Sequence, residues 1–177
     1  RAPVDTGTVF RIASMSKSFA AAAILQLRDE GKLSLDDPAE RHVPELAGLR
    51  YPTADAPRIT IRHLLTHTSG LGYGMIDGDE RMRKIYQKAG VVELFTTGNI
   101  NIEENTKKLA TLPLHHEPGE RFTYSLGLDV LGYFVEVISG KPFNEFLRER
   151  IFEPMGMEDT WFYLPKSKGD RLVAIQH

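Results

Sequence analysis

Cysteine is absent from these 177 residues, which excludes disulfide frameworks, thiolate nucleophiles and cysteine-type zinc sites. Long apolar runs are missing too. The densest, Phe-Ala-Ala-Ala-Ala-Ile-Leu at 19–25, stops at Gln26, well short of the roughly 18 residues a membrane-spanning helix needs. Charge of one sign is equally scarce: 22 basic and 24 acidic residues give a net charge of -2, with no block of either. That balance excludes a nucleic-acid footprint and a polybasic membrane anchor. The chain opens Arg1-Ala2-Pro3, without an initiating methionine or a basic-then-apolar leader. It is therefore read as starting inside a longer product or after a removed segment, in a cytoplasmic, periplasmic or secreted setting.

Against those absences stands an ordinary globular composition, 41% apolar and 26% charged, at the length of one domain. Residues 8–12 alternate apolar and polar side chains and read as a short strand. Residues 14–30 read as a helix, apolar all round at its centre and closed by Gly31, so it is expected to be buried. Thr60 is a suitable N-cap for a helix through Ile61, Leu64 and Leu65 that stops at Ser69-Gly70. Shorter helices are expected at 80–88 and 101–112. A second strong helix is expected at 125–139, with Leu126, Val130, Leu131, Phe134, Val137 and Ile138 as its stripe and Gly140 as its stop. A further helix follows Pro142 from 143 to about 152. Residues 160–164 and 172–175 read as late strands, and two such strands cannot make a stable sheet alone.

Three constellations carry possible chemistry. Ser14-Met15-Ser16-Lys17 places a serine and a lysine three residues apart at a helix start, on one face and within hydrogen-bond reach. Free N–H groups at the helix N-terminus can steady a developing oxyanion, and a lysine so placed is suited to take the hydroxyl proton. The plainer alternative is an N-cap serine beside a snorkelling lysine. Tyr124, after the Pro118-Gly119 turn, is either a packed ring with a wet hydroxyl or a phenol that relays a proton. His63 and His67, four apart, have zinc-ligand spacing, but Leu64 stands where a metalloprotease needs glutamate. They read as structural histidines, and His115-His116 as surface loop residues.

In order along the chain come Phe10-Arg-Ile-Ala-Ser-Met-Ser-Lys17, Gly31-Lys-Leu-Ser-Leu-Asp-Asp-Pro38, and the stretch from Ile59 through His63-Leu-Leu-Thr-His67 to Leu71. Pro118-Gly119, Phe122-Thr-Tyr-Ser125, Leu131-Gly132, Ser139-Gly140, Pro154-Met-Gly-Met157 and Asp159-Thr160 follow. Together these resemble the serine β-lactamase-related hydrolases: class C β-lactamases, DD-peptidases and esterases of the same fold. The resemblance implies an α/β (α+β) fold of β-lactamase/transpeptidase type, of which residues 1–177 would be mainly the helical region with partial sheet strands. It implies Ser14 as nucleophile, Lys17 as its lysine partner, Tyr124 as the tyrosine of a Y-x-N element, and an acyl-enzyme route with no cofactor and no metal.

Two departures shape the expectation. Leu126 stands at the asparagine of Y-x-N, a substrate-binding position where leucine offers no hydrogen bond to an acylamino group. The K-T-G or H-x-G strand motif is missing, because Lys168-Gly169 lies too early between Ser167 and Asp170. Residues 1–177 are thus expected to be an incomplete β-lactamase-like domain without its N-terminal strands and C-terminal sheet strands, completed by the remainder of its own chain. Alone it is expected to be inactive and prone to aggregate through Trp161, Phe162 and Ile175. The leading expectation is a carboxylesterase on small esters. The alternatives are a β-lactamase or D-alanyl-D-alanine carboxypeptidase acting on small amides, and, in another class, a non-catalytic fragment or pseudoenzyme serving as a binding module.

Overall fold

The alanine-rich run that reads as a buried helix forms one, α1 (Ser16–Asp29), in keeping with alanine's high helix propensity. It begins after a 3-10 turn, Ala13–Met15, rather than directly at Ser14. Its buried residues Ala20, Ala23, Ile24 and Leu27 recur at the three- and four-residue steps of one helix face. Glu30 caps its C-terminus and Gly31 turns the chain away at φ 71°. The computed structural model describes residues 3–49, 57–76, 78–93, 98 and 100–174.

Around α1 the chain places α2 (Ile61–Leu65), α3 (Glu80–Ala89), α4 (Ile102–Leu109), α5 (Gly127–Ser139) and α6 (Phe143–Leu147), the last running into a π-helical turn, Arg148–Phe152. The caps explain the boundaries. Thr60 and His63 form a reciprocal capping box at α2, as Asn101 and Glu104 do at α4. Gly140 ends α5 in the left-handed conformation. The core lies where α1, α2, α4 and α6 all pack on α5, which buries Leu128, Val130, Leu131, Phe134 and Val135. Val137, expected in that stripe, is instead 45% exposed. Helix α5 approaches α2 so closely that a Cβ on Gly127 would sit 2.8 Å from the Leu64 carbonyl oxygen.

Gly70 fixes the loop that leads from α2 towards the candidate site. At φ 85°, a Cβ there would lie 2.3 Å from the His116 backbone oxygen, and its carbonyl accepts from the His115 N–H at 2.8 Å. Only glycine permits that backbone approach. His116 is 1% exposed and its Nε2 lies 2.9 Å from Thr123 Oγ1. This corrects the surface-loop reading: the ring is buried because it ties the segment before Tyr124 to the segment around Leu114.

The expected strands at 8–12, 160–164 and 172–175 are not strands among the described residues; Ile175 lies outside them. Val9 and Leu172 form a single parallel bridge, with Val9 N–H donating to the Arg171 carbonyl and Val173 N–H to the Val9 carbonyl, both at 2.9 Å. An isolated pair lacks the neighbours that hold a ladder together. Of the apolar residues expected to be exposed, Phe162 is, whereas Trp161 is half-buried under the Arg148 guanidinium, 3.9 Å from its ring centre.

A buried polar knot braces the loop before α2. The Asp37 carboxylate accepts from the Ser34 N–H at 2.9 Å and from Arg41 at 2.7 Å, and lies 2.8 Å from His42 Nε2. The Ser34 hydrogen bond, with that of His42, holds its carboxyl below the usual carboxylate range. A lowered folded-state value stabilises the fold above the unfolded carboxyl value of about 3.9 and is lost as pH falls through the folded value. The thermal midpoint is therefore expected to drop on acidification below about pH 4. Asp37→Asn should be less stable at neutral pH and show a shallower acid loss, which a pH series of thermal melts checks.

Candidate active site

Among the described residues two non-glycine residues carry positive φ, Ala13 at 45° and His67 at 56°, and both stand beside the S-x-x-K tetrad or its tyrosine. Such backbone conformations cost of order 1–3 kcal/mol and persist where surrounding structure enforces them. Ala13 presents the exposed Ser14 at the mouth of α1. From the first turn of that helix, Lys17 Nζ lies 3.5 Å from Ser14 Oγ. The helix geometry thus delivers the expected serine–lysine pair.

Tyr124 joins them. Lys17 Nζ sits 5.3 Å from the Tyr124 ring centre and 5.4 Å from that of Tyr73, within range of a cation–π contact. The two tyrosines stack with centres 5.6 Å apart. On the other side of Tyr124 the His67 ring lies 4.7 Å away. His67 Nδ1 accepts the Ser125 N–H at 3.0 Å and lies 3.1 Å from Ser125 Oγ. Burial, with the nearby Lys17 charge, lowers the His67 titration from its ordinary range, so the ring is a neutral acceptor at pH 7. His63 points elsewhere: its Nδ1 accepts the Thr60 N–H at 3.2 Å. The two histidines therefore serve a helix cap and a loop, as the structural reading expects.

Ser14, Lys17 and Tyr73 line a cleft of about 280 Å³ together with the carboxylates of Asp129 and Glu93. Ala20, Ile102, Leu128, Phe143 and Phe162 are its apolar lining. Burial pushes the Tyr73 hydroxyl up, reinforced by the Asp129 carboxylate, so Tyr73 stays a phenol at neutral pH. Asp129 Oδ2 is 3.6 Å from Lys17 Nζ. Burial raises its carboxyl from the ordinary range while Lys17 opposes that rise.

Leu126 does not join this group. It is 1% exposed, belongs to the core at the N-cap of α5, and is not among the residues that line the cleft. The side chain on that helix that does reach the cleft is Asp129, three residues on. Tyr73 and Asp129 are the two residues that sequence reasoning missed. The only signal for Asp129 was an acidic residue interrupting an otherwise apolar helix; for Tyr73, a ring just after the Ser69-Gly70 stop.

Among the described residues, no helix is long and apolar enough to cross a membrane.

Comparison with known proteins shows the family. The sequence model of the Beta-lactamase family matches residues 1–177. Esterase EstB of Burkholderia gladioli is 39% identical over 160 residues, covering 90% of this chain and 40% of EstB. The D-alanyl-D-alanine-carboxypeptidase/endopeptidase AmpH of Escherichia coli (strain K12) is 33% identical over 170 residues, or 96% of this chain and 40% of AmpH. Among solved structures, EstCE1, a hydrolase with promiscuous acyltransferase activity, superposes with a TM-score of 0.85 at 33% identity, covering 96% of this chain and 43% of EstCE1. The chain spans less than half the length of each of these relatives.

Proposed function

Because this chain belongs to the Beta-lactamase family, we propose that it carries the nucleophile of a serine hydrolase whose favoured substrates are small carboxylic esters. The observation that carries the reading is the 3.5 Å approach of Lys17 Nζ to Ser14 Oγ in a cleft that apolar side chains also line. In the proposed reaction Ser14 Oγ attacks the ester carbonyl while Lys17 accepts its proton. The C–O bond to the alcohol breaks, and the proton passes to that alcohol with Tyr124 as relay. Water then attacks the acyl-Ser14 ester, releases the acid and restores the serine.

The ester preference is supported by the name of Esterase EstB. Ile102, Leu128, Phe143 and Phe162 offer a short acyl group an apolar wall. Similarity to AmpH favours D-alanyl-D-alanine carboxypeptidase activity as the second reading.

A fluorophosphonate probe is expected to label the full natural protein once, at Ser14, and not to label Ser14→Ala. Mass spectrometry of the labelled peptide checks this, and equal labelling of both proteins removes Ser14 from the nucleophile role. The same protein is expected to favour p-nitrophenyl acetate over nitrocefin by at least about tenfold in kcat/KM, or about 1.4 kcal/mol of transition-state binding. Nitrocefin opened as fast as the ester is cleaved would replace the esterase reading with a β-lactamase one. A protein that takes neither label nor substrate would be a binding module.

A further inference from the structure

Asp129 is the one carboxylate recorded in direct contact with Lys17 among the described residues, and nothing in the proposed reaction uses it. We propose that Asp129 is a positioning residue: it anchors Lys17 Nζ beside Ser14 and sets the pH at which that amine can begin to accept the serine proton. The inference rests on the Ser14–Lys17 reading and adds to it the group that governs its pH dependence.

The placement supports this. Asp129 stands in the first turn of α5, the helix that packs against α1, so its carboxylate and the Lys17 ammonium meet across the main helix–helix contact. Lys17 Nζ is bracketed by Ser14 Oγ at 3.5 Å and Asp129 Oδ2 at 3.6 Å, and the Lys17 side chain is only 15% exposed. Asp129 Oδ2 is itself shielded from solvent while the side chain as a whole is 42% exposed, and at 3.6 Å its contact with Lys17 is an ion pair. The other titratable groups around Lys17 are Tyr73, Tyr124 and His67, and Glu93 also lines the same cleft. Tyr73 and His67 are uncharged at neutral pH, which leaves Asp129 as the carboxylate at contact distance.

A carboxylate beside an amine favours the protonated amine. Replacing the carboxylate by a neutral amide keeps the size of the side chain beside Lys17 and removes the charge. The acidic limb of kcat/KM, which reports the free enzyme, must then move to lower pH. A unit charge at about 4 Å is worth about one pH unit even at the dielectric of water, and more when shielded.

The experiment measures kcat/KM for p-nitrophenyl acetate against pH in the full natural protein, in Asp129→Asn and in Asp129→Glu, with fluorophosphonate labelling of Ser14 in each. The expected result is an acidic limb about one pH unit or more lower in Asp129→Asn and close to the wild-type position in Asp129→Glu. Asp129→Ser, a smaller neutral variant, should shift the limb in the same direction and serves if the asparagine variant folds poorly. A limb that stays in place in both neutral variants while Ser14 still takes the label overturns the role of Asp129 and leaves the nucleophile reading intact. Failure of the wild type itself to label at Ser14 overturns both.

Discussion

Lys17→Ala is expected to lower kcat/KM for p-nitrophenyl acetate by about 10²–10⁴, the usual worth of a positioned proton acceptor. The argument begins in the helix. Residues 14 and 17 share a face, α1 holds that face beside α5, and Lys17 Nζ lies within 3.5 Å of Ser14 Oγ. Alanine there removes the amine while leaving the buried side of α1, Ala20, Ala23, Ile24 and Leu27, untouched. The loss should therefore appear in rate with little change in thermal midpoint. Lys17→Arg sharpens the test. Arginine keeps the charge opposite Asp129 but does not give up a proton near neutral pH. It is expected to be about as slow as the alanine variant, whereas an arginine variant with wild-type rate would show that charge alone suffices.

The helices and their stops were legible because caps are local chemistry. Thr60 just before Ile61 and Gly140 after an apolar stripe each satisfy backbone groups within one turn, so their positions are visible in the chain. The serine–lysine pair was legible for the same reason, since i and i+3 on a helix meet whatever surrounds them. Tyr73 and Asp129 were not, because their approach to Lys17 depends on how α5 crosses α1 and on the backbone contact at Gly70, which no local pattern encodes. The terminal strands were misread because alternation marks a capacity to pair, while Val9 finds one bridge partner in Leu172. His116 was misread because its burial comes from Thr123 and the Gly70 crossing, both outside its own segment.

Leu126→Asn is expected to cost about 2–5 kcal/mol in folding stability and to leave the preference for esters over cephalosporins unchanged. The side chain is 1% exposed and lies at the start of α5, where the Leu126 N–H donates to the Gly72 carbonyl and its own carbonyl accepts from Val130. Removing the buried leucine surface costs about 2–3 kcal/mol, and burying an amide without partners adds about 1–3. An offset of about 1 kcal/mol is available because the position is an N-cap without a side-chain cap bond, a place asparagine suits. The net loss would be a large share of the 5–15 kcal/mol typical of a folded domain. Denaturant midpoints compared at equal slope measure it. A variant as stable as wild type that also gains nitrocefin turnover would mean that the residue-126 side chain turns out of the core and reaches the substrate.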